Sequence, residues 1–465
     1  MTFMGGVMFR TQSKGRRKKT GISMVKIALA VAMVSGVGMI SVSVSASASS
    51  KVTITVWNDP LAAGSVGVPA SKSFLTKGVE LFEKANPNIK VDITQEAFAA
   101  STQFETLLSS SEIAGTTPDI GQLYVGGQVE QNAKFLLPLN KLLGQSYINS
   151  LTGWQFVSKN YKIGSTVYAV PYGQGYYYAV YFNKALFKKA GISTTSLPTT
   201  WNGLVALAKQ LKAKGVTPFE FGEKEGYFGA WTQDAMMSGL DGDAGVLNMY
   251  TGKQSLDSSL LIKPYTAWHG LFADGLTNSN AATLTYTSGV AEFAAGKAAM
   301  TITGEYYDTQ ISKGLGNSNV GLFPVPALTG AKYPKSLSGG PNNAYVLFKN
   351  AKNVADCIKL IKFLTTEKVQ LLGVNELGQA PNNVNFKVTA SFAASQPLLA
   401  DLNTYIGTDH YALDEAFDNV MPGSICSYWY QTNNGVFEGS LSPSSAASSM
   451  EAQMKSYLAT QKTGG

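Results

Sequence analysis

Three observations predict an α/β fold in two domains. β-Branched strands alternate with amphipathic helices along most of the chain, and the first of them close into a βαβ unit. Once an N-terminal segment is set aside, about 415 residues remain, enough for two separate cores. The chain opens this pattern at "KVTITVW", an alternating β-branched strand that stops at "NDP". After a glycine-rich connection, Phe74 to Ala85 places apolar residues at helical spacing, and "NPNIKVDITQE" turns into a second strand. Helical "FETLLSSSEIAG" leads through "TTPDIGQLYV", where proline and aspartate introduce a short apolar strand, and "FLLPLNKLL" is a further helix or turn.

Tyr168 to Asn183 is the next extended run, and beyond Tyr176 both of its faces are apolar or aromatic, as in a strand covered on both sides. "NKALFKKAGI" and "TTWNGLVALAKQLKAKGV" are amphipathic helices, the second with a threonine cap before its tryptophan. The helix "GVAEFAAGKAAM" delivers the strand "TITG". The strand "AYVLF", one helix over "NVADCIKLIKFLTTEKVQLL" and a helical tail from "AASSMEAQMKSYLATQ" complete the series. No tandem repeat interrupts it.

Residues 1–48 read as a signal peptide: the basic "RTQSKGRRKK" precedes an apolar run from Ile27 to Val44, and Ala46-Ser47-Ala48 suits cleavage after Ala48. The competing reading is an uncleaved membrane anchor, since the apolar core reaches about 18 residues. No cysteine near the junction offers a thiol for lipid attachment, and "GRRKKT" lacks the usual twin-arginine context. Seven of the 37 basic residues and none of the 30 acidic ones lie in this segment, so the net charge of +7 belongs to it. The remainder of the chain is close to neutral, which removes the electrostatic support for a nucleic-acid partner. Arg10, Arg16 and Arg17 are the only arginines, and all fall in the segment. Without arginine, a site for carboxylates or phosphates lacks its usual bidentate clamp, and a neutral, hydroxyl-rich ligand fits better. Cys357 and Cys426 are compatible with one disulfide in an oxidising compartment. Against that, Cys357 shares helical spacing with Val354, Ile358, Ile361 and Leu364, as a buried free thiol would.

Nine motifs, in order, resemble the extracellular solute-binding proteins of the carbohydrate class, the maltose-binding-protein-like receptors of ABC importers. They are "VTITVW", "LFEKANPNIKV", "GTTPDI", "YAVPYGQGYYYAVYFNKALFKKAGI", "LPTTWNGLVALAKQLKAKGVTPF", "FAAGKAAMTITGEYY", "VGLFPVPA", "IKFLTTEKVQLL" and "LGQAPNN". The resemblance implies a two-lobed periplasmic-binding-protein-like fold (type II) whose lobes are joined by hinge strands. Lobe one is expected at 51–173 plus 343–390, and lobe two at 174–342 plus 391–465. It further implies a secreted or surface-held monomer that closes on a neutral sugar or oligosaccharide and delivers it to an ABC permease, with no cofactor, metal or catalysis.

A sugar site needs planar rings for the sugar's C–H faces and polar groups around them. Trp57, Asn58 and Asp59 end the first strand at the corner that the resemblance puts in the cleft; the alternative is a turn with Asp59 capping backbone. Tyr124, after "PDI", holds the loop position that faces the ligand, or is a rim tyrosine without that contact. "KEGYFGAW" maps a carboxylate and a stacking ring onto Glu225 and Tyr227, with Trp231 one helical turn on and core packing as its other reading. In "TITGEYY", Glu305 precedes Tyr306, which stands where the family commonly has a stacking tryptophan and is a smaller platform. "MPGSICSYWY" puts Trp429 in a stacking position, and the amides of Asn342 and Asn343 enter the cleft on a glycine-rich crossover or serve its turn. In "YAVPYGQGYYYAVYFNK", the first crossing, Tyr172, Gln174 and Tyr176 pass the cleft floor while Tyr177, Tyr178 and Tyr181 are core; Gly173 and Gly175 supply hinge freedom.

Two rivals keep the fold and change the ligand: ferric iron on adjacent tyrosines of "YYY" or "EYY", or a polyamine held by carboxylates. A glycoside hydrolase has less support. His269 and His410 are isolated, and no catalytic motif sets one carboxylate pair apart from the rest.

Overall fold

β-Branched alternation and the turns that stop it set the positions of the strands. The computed structural model describes residues 51–58, 69–95, 101–159, 162, 164–175, 178–414 and 416–463. The expected signal peptide, Asp59, Tyr176 and Tyr177 lie outside the described residues. The strands, in chain order, are β1 (Val52–Asn58), β2 (Ile89–Gln95), β3 (Ile120–Tyr124), β4 (Ala169–Tyr172), β5 (Tyr178–Asn183), β6 (Met300–Gly304), β7 (Val320–Pro324), β8 (Ser336–Ser338), β9 (Asn343–Leu347) and β10 (Ala412–Asp414).

One sheet runs β2-β1-β3-β9-β4, with β1 parallel to β2 and β3, and β9 antiparallel to β3 and β4. A second runs β6-β5-β7 and is antiparallel throughout, and β8 pairs with β10 in parallel. We call the body around the first sheet lobe one and the body around the second lobe two. The run from Tyr168 to Asn183 therefore splits: β4 belongs to lobe one and β5 to lobe two, with both strands buried on each face.

Three segments pass between the sheets and lie side by side. Gln174 and Ala380 exchange backbone hydrogen bonds of 2.7 and 2.9 Å, and Gly175 and Gly340 do so at 3.0 and 2.8 Å. Gly173 adopts φ +71°, a conformation that glycine takes without a steric penalty.

Capping explains where the helices start. Ser73 caps Phe74–Ala85, its hydroxyl accepting from Thr76 N at 3.2 Å, and Thr200 caps Trp201–Ala213, accepting from Gly203 N at 3.2 Å. The single helix expected over 353–372 is two, Val354–Leu364 and Glu367–Leu377. The break lies at Thr365, which donates its hydroxyl back to Ile361 O while its own carbonyl accepts from Gln370 Nε2. Three helices that show no clean amphipathic stripe, Tyr227–Tyr250, Ser259–Ala273 and Gly423–Glu438, pack together in lobe two. Cys357 and Cys426 are both buried thiols, not joined to one another. Among the described residues, no helix is long and apolar enough to cross a membrane.

Candidate functional site

The start of the helix Tyr227–Tyr250 is fixed from below. Glu223, fully buried, accepts from Gly229 N through both carboxylate oxygens at 3.0 Å and from Trp268 Nε1 at 3.1 Å. Burial pushes its carboxyl up to about 8, with these donors pulling the other way. At Gly226, φ +80°, an added Cβ would come within 1.9 Å of Tyr430 O, so only glycine lets the helix start this close to Gly423–Glu438. The anchored first turns then carry Tyr227 and Trp231 side by side.

Around them stands a wall of rings. Trp231 is parallel to Tyr178 (centroids 5.5 Å apart, 9° between planes) and to Tyr227 (5.2 Å, 21°). Tyr286 and Tyr306 meet Trp231 edge to face at 4.9 and 6.2 Å, and Tyr430 meets Tyr227 in the same way at 4.9 Å. Such offset and perpendicular contacts suit the ring quadrupole. Tyr227, Trp231, Tyr306, Tyr307 and Tyr430 remain half-buried, so the wall has an open side.

Polar atoms tie the rings together. Asp418 Oδ2 accepts from Trp231 Nε1 at 2.8 Å and from Tyr430 Oη at 3.0 Å. Burial raises this carboxyl above the ordinary range, and the two donors partly offset that. Tyr286 Oη shares hydrogen bonds with Thr303 Oγ1 at 2.6 Å and Tyr306 Oη at 2.9 Å. Desolvation holds the phenols of Tyr178, Tyr286, Tyr306 and Tyr430 well above their usual pKa, so all four are neutral hydroxyls.

Tyr227, Trp231 and Tyr306 thus converge. Glu225 has a structural task beside them: its Oε2 accepts from Tyr286 N at 2.9 Å at the start of the helix Tyr286–Ala294. Glu305 is buried beneath Tyr306, against the crossing at Gly175. Two expected platforms are core side chains instead. Tyr172 is 1% exposed, stacked on Tyr345 at 4.5 Å and bonded by Gln122 Nε2 at 2.7 Å. Trp429 is 0% exposed, edge-on to Phe417 at 4.5 Å with its Nε1 donating to Gln233 Oε1 at 3.2 Å. Neither ring presents a free face.

On lobe one, Trp57, Asn58 and Tyr124 sit at the carboxyl ends of β1 and β3, the edge of a parallel arrangement where ligands commonly bind. Tyr124, Asn343 and Tyr172 share one register row across β3, β9 and β4. Gln174 is half-exposed and accepts from Thr152 Oγ1 at 3.2 Å. Asn342 Oδ1 accepts from Asn419 Nδ2 at 2.9 Å, linking the second crossing to the segment that carries Asp418. Asp418, Tyr286, Tyr307 and Tyr430 were not foreseen as site residues, although Tyr307 lay within "TITGEYY" and Tyr430 within "SYWY". Among the described residues, no three His, Cys, Asp or Glu side chains gather as a metal ion requires.

The sequence pattern of the bacterial extracellular solute-binding proteins matches residues 67–371. The chain is 27% identical over 301 residues to the multiple sugar-binding protein of Streptococcus mutans, covering 63% of this chain and 68% of that one. It is 26% identical over 254 residues to an ABC transporter extracellular-binding protein of Pyrococcus horikoshii, 53% of this chain and 56% of that one. A chitin oligosaccharide binding protein superposes with a TM-score of 0.73 at 22% identity, over 87% of this chain and 98% of the other. A maltose-bound T. maritima protein does so at 0.66 and 20%, over 87% and 99%. The superpositions establish the two-lobed α/β fold with hinge strands. With the family pattern covering well over half of its length, the chain belongs to the bacterial extracellular solute-binding protein family.

Proposed function

We propose that the chain is a non-catalytic carbohydrate receptor that hands a neutral sugar or oligosaccharide to the permease of an ABC importer. The observation that carries this reading is the half-open wall of Tyr227, Trp231, Tyr306 and Tyr430 around Asp418. Rings of this kind take the C–H faces of a pyranose, while neutral phenols and a carboxylate exchange hydrogen bonds with its hydroxyls. The absence of arginine after residue 17 fits an uncharged ligand. The sugar-binding names of the Streptococcus mutans relative and of the chitin oligosaccharide binding protein point the same way.

Lobe one contributes Trp57, Asn58, Tyr124 and Asn343 from the facing edge, with Gln174 at its margin; Asp59 and Tyr176 join the set as the candidates the family resemblance names. The ligand favours closure because only the closed arrangement engages both sets of groups. A signal peptide ending at Ala48 delivers the chain outside the cytoplasm, where it works as a monomer. An iron site would have to draw phenolates out of a cluster whose burial keeps them protonated.

Isothermal titration of the purified protein against xylo-, chito- and malto-oligosaccharides, with spermidine and ferric citrate alongside, tests the reading. Binding of at least one saccharide, with no response to the other two ligands, is expected. Tight binding of spermidine or iron with none of any saccharide overturns it.

A further inference from the structure

Several buried polar atoms without a hydrogen-bond partner gather where the chain passes between the sheets. Ser338 Oγ, Asn342 Nδ2 and both amide atoms of Asn343 lie from the end of β8 to the start of β9, and both amide atoms of Gln379 lie on the third crossing. Gln379 is 2% exposed, and neither its Oε1 nor its Nε2 is bonded among the described residues. Native proteins seldom leave a primary amide in this condition.

The neighbours of Gln379 come from both sides of the hinge. A Cβ at Gly173 would fall 2.0 Å from its Oε1, and one at Gly175 would fall 2.6 Å from its Cγ. That same Cβ at Gly175 would stand 2.3 Å from Glu305 Oε1. Gln379 follows the lobe-one helix Glu367–Leu377, whereas Glu305 follows β6 of lobe two. The two side chains therefore meet over a single glycine, one from each body, without bonding one another. The backbone beneath them is held by the Gln174–Ala380 and Gly175–Gly340 pairs, which leaves the side chains as the groups whose separation follows lobe rotation.

We propose that Gln379 is a positioning residue that couples ligand binding to rotation of the lobes. In the arrangement described its amide is unpaired. Rotation of lobe two about the glycine crossing brings Glu305 Oε1 to Gln379 Nε2, which donates to it, and this bond belongs to the ligand-bound arrangement. Wild-type Gln379 then biases the equilibrium towards closure by the difference in its pairing between the two arrangements. This inference rests on the sugar-receptor reading.

Gln379→Met keeps the length of the side chain and removes its polar atoms. Its melting temperature without ligand should rise, because the unpaired amide of Gln379 is removed. Its Kd for a saccharide that binds the wild type should weaken by about tenfold, in the range of a typical coupling. Glu305→Gln serves as the partner variant, and combining it with Gln379→Met should cost less affinity than the two single losses predict. X-ray scattering should show a smaller ligand-induced compaction in Gln379→Met than in wild type. A lowered or unchanged melting temperature overturns the unpaired amide. A raised melting temperature with an unchanged or tighter Kd overturns the coupling. If no saccharide binds the wild type, the receptor reading itself fails and takes this inference with it.

Discussion

The ring wall of lobe two and the crossing between the lobes are both largely buried and both rich in polar atoms, yet they pair those atoms to different degrees. In the wall, the indole of Trp231 and the phenols of Tyr430, Tyr286 and Tyr306 all have partners within 3.0 Å. At the crossing, the side-chain amides of Asn343 and Gln379 are unbonded among the described residues. The wall's pairings hold each ring in one orientation, although Asp418 Oδ1 itself has no partner among the described residues. A joint that must be tolerable in two arrangements cannot pair everything in either.

The largest test of this contrast removes the centre of the wall. Trp231→Ala deletes the ring shared by Tyr178, Tyr227, Tyr286 and Tyr306 and takes one of the two side-chain donors from Asp418, leaving Tyr430. A loss of about 3–5 kcal/mol in urea denaturation is expected, together with loss of saccharide binding. Retained affinity in a folded variant would move the ligand off the wall. Next in size is Gly175→Ala at the crossing, where the new Cβ meets Glu305 Oε1 at 2.3 Å and Gln379 Cγ at 2.6 Å. About 1–3 kcal/mol should be lost as these chain ends are pushed aside, and Kd should change with it. A neutral variant would mean that the crossing is slack and differs less from the wall than its bonding implies.

A third test uses pH on the base of the wall. Folding raises the Glu223 carboxyl from its ordinary 4.5 to about 8, so the native state holds this proton more tightly than the unfolded chain. Its contribution to stability is full at low pH, begins to fall above about 4.5 and is gone once the pH has passed about 8. Glu223→Gln, which can still accept from Gly229 N, should flatten that part of the profile, and melting temperatures at pH 6 and 8.5 would reveal it. Smallest is Tyr306→Phe, which removes one hydroxyl bonded to Tyr286 and should cost about 0.5–1.5 kcal/mol. A larger loss would show that the phenol network is cooperative.

Local patterns made much of the fold legible. β1 follows from alternation, the helix Phe74–Ala85 from spacing, and the start of Trp201–Ala213 from Thr200. The break at Thr365 was hidden because apolar spacing runs through it and only hydroxyl and carbonyl bonding reveals the stop. Tyr227 and Tyr306 were named through the family resemblance and Trp231 through its place one helical turn after Tyr227, and the structure brings the three rings together. Asp418 was not, since its role exists only once Trp231 and Tyr430 are brought to it from other helices. Trp429 and Tyr430 show the limit most clearly. They are neighbours about 100° apart on one helix, and tertiary packing alone decides that the first faces Phe417 and the second faces Asp418.

The parallel packing of Tyr178, Trp231 and Tyr227 also makes the wall an optical element. Rings held at 5.5 and 5.2 Å with fixed tilts are placed for their transition dipoles to couple, and a near-ultraviolet circular dichroism band lost in Trp231→Ala is the expected signature. Of the six tryptophans, all among the described residues, Trp231 alone sits at the centre of such a stack on a partly open surface. On the proposed function, a ligand laid against the wall would change the polarity around that indole, and Trp231 fluorescence would serve as an unlabelled reporter of occupancy.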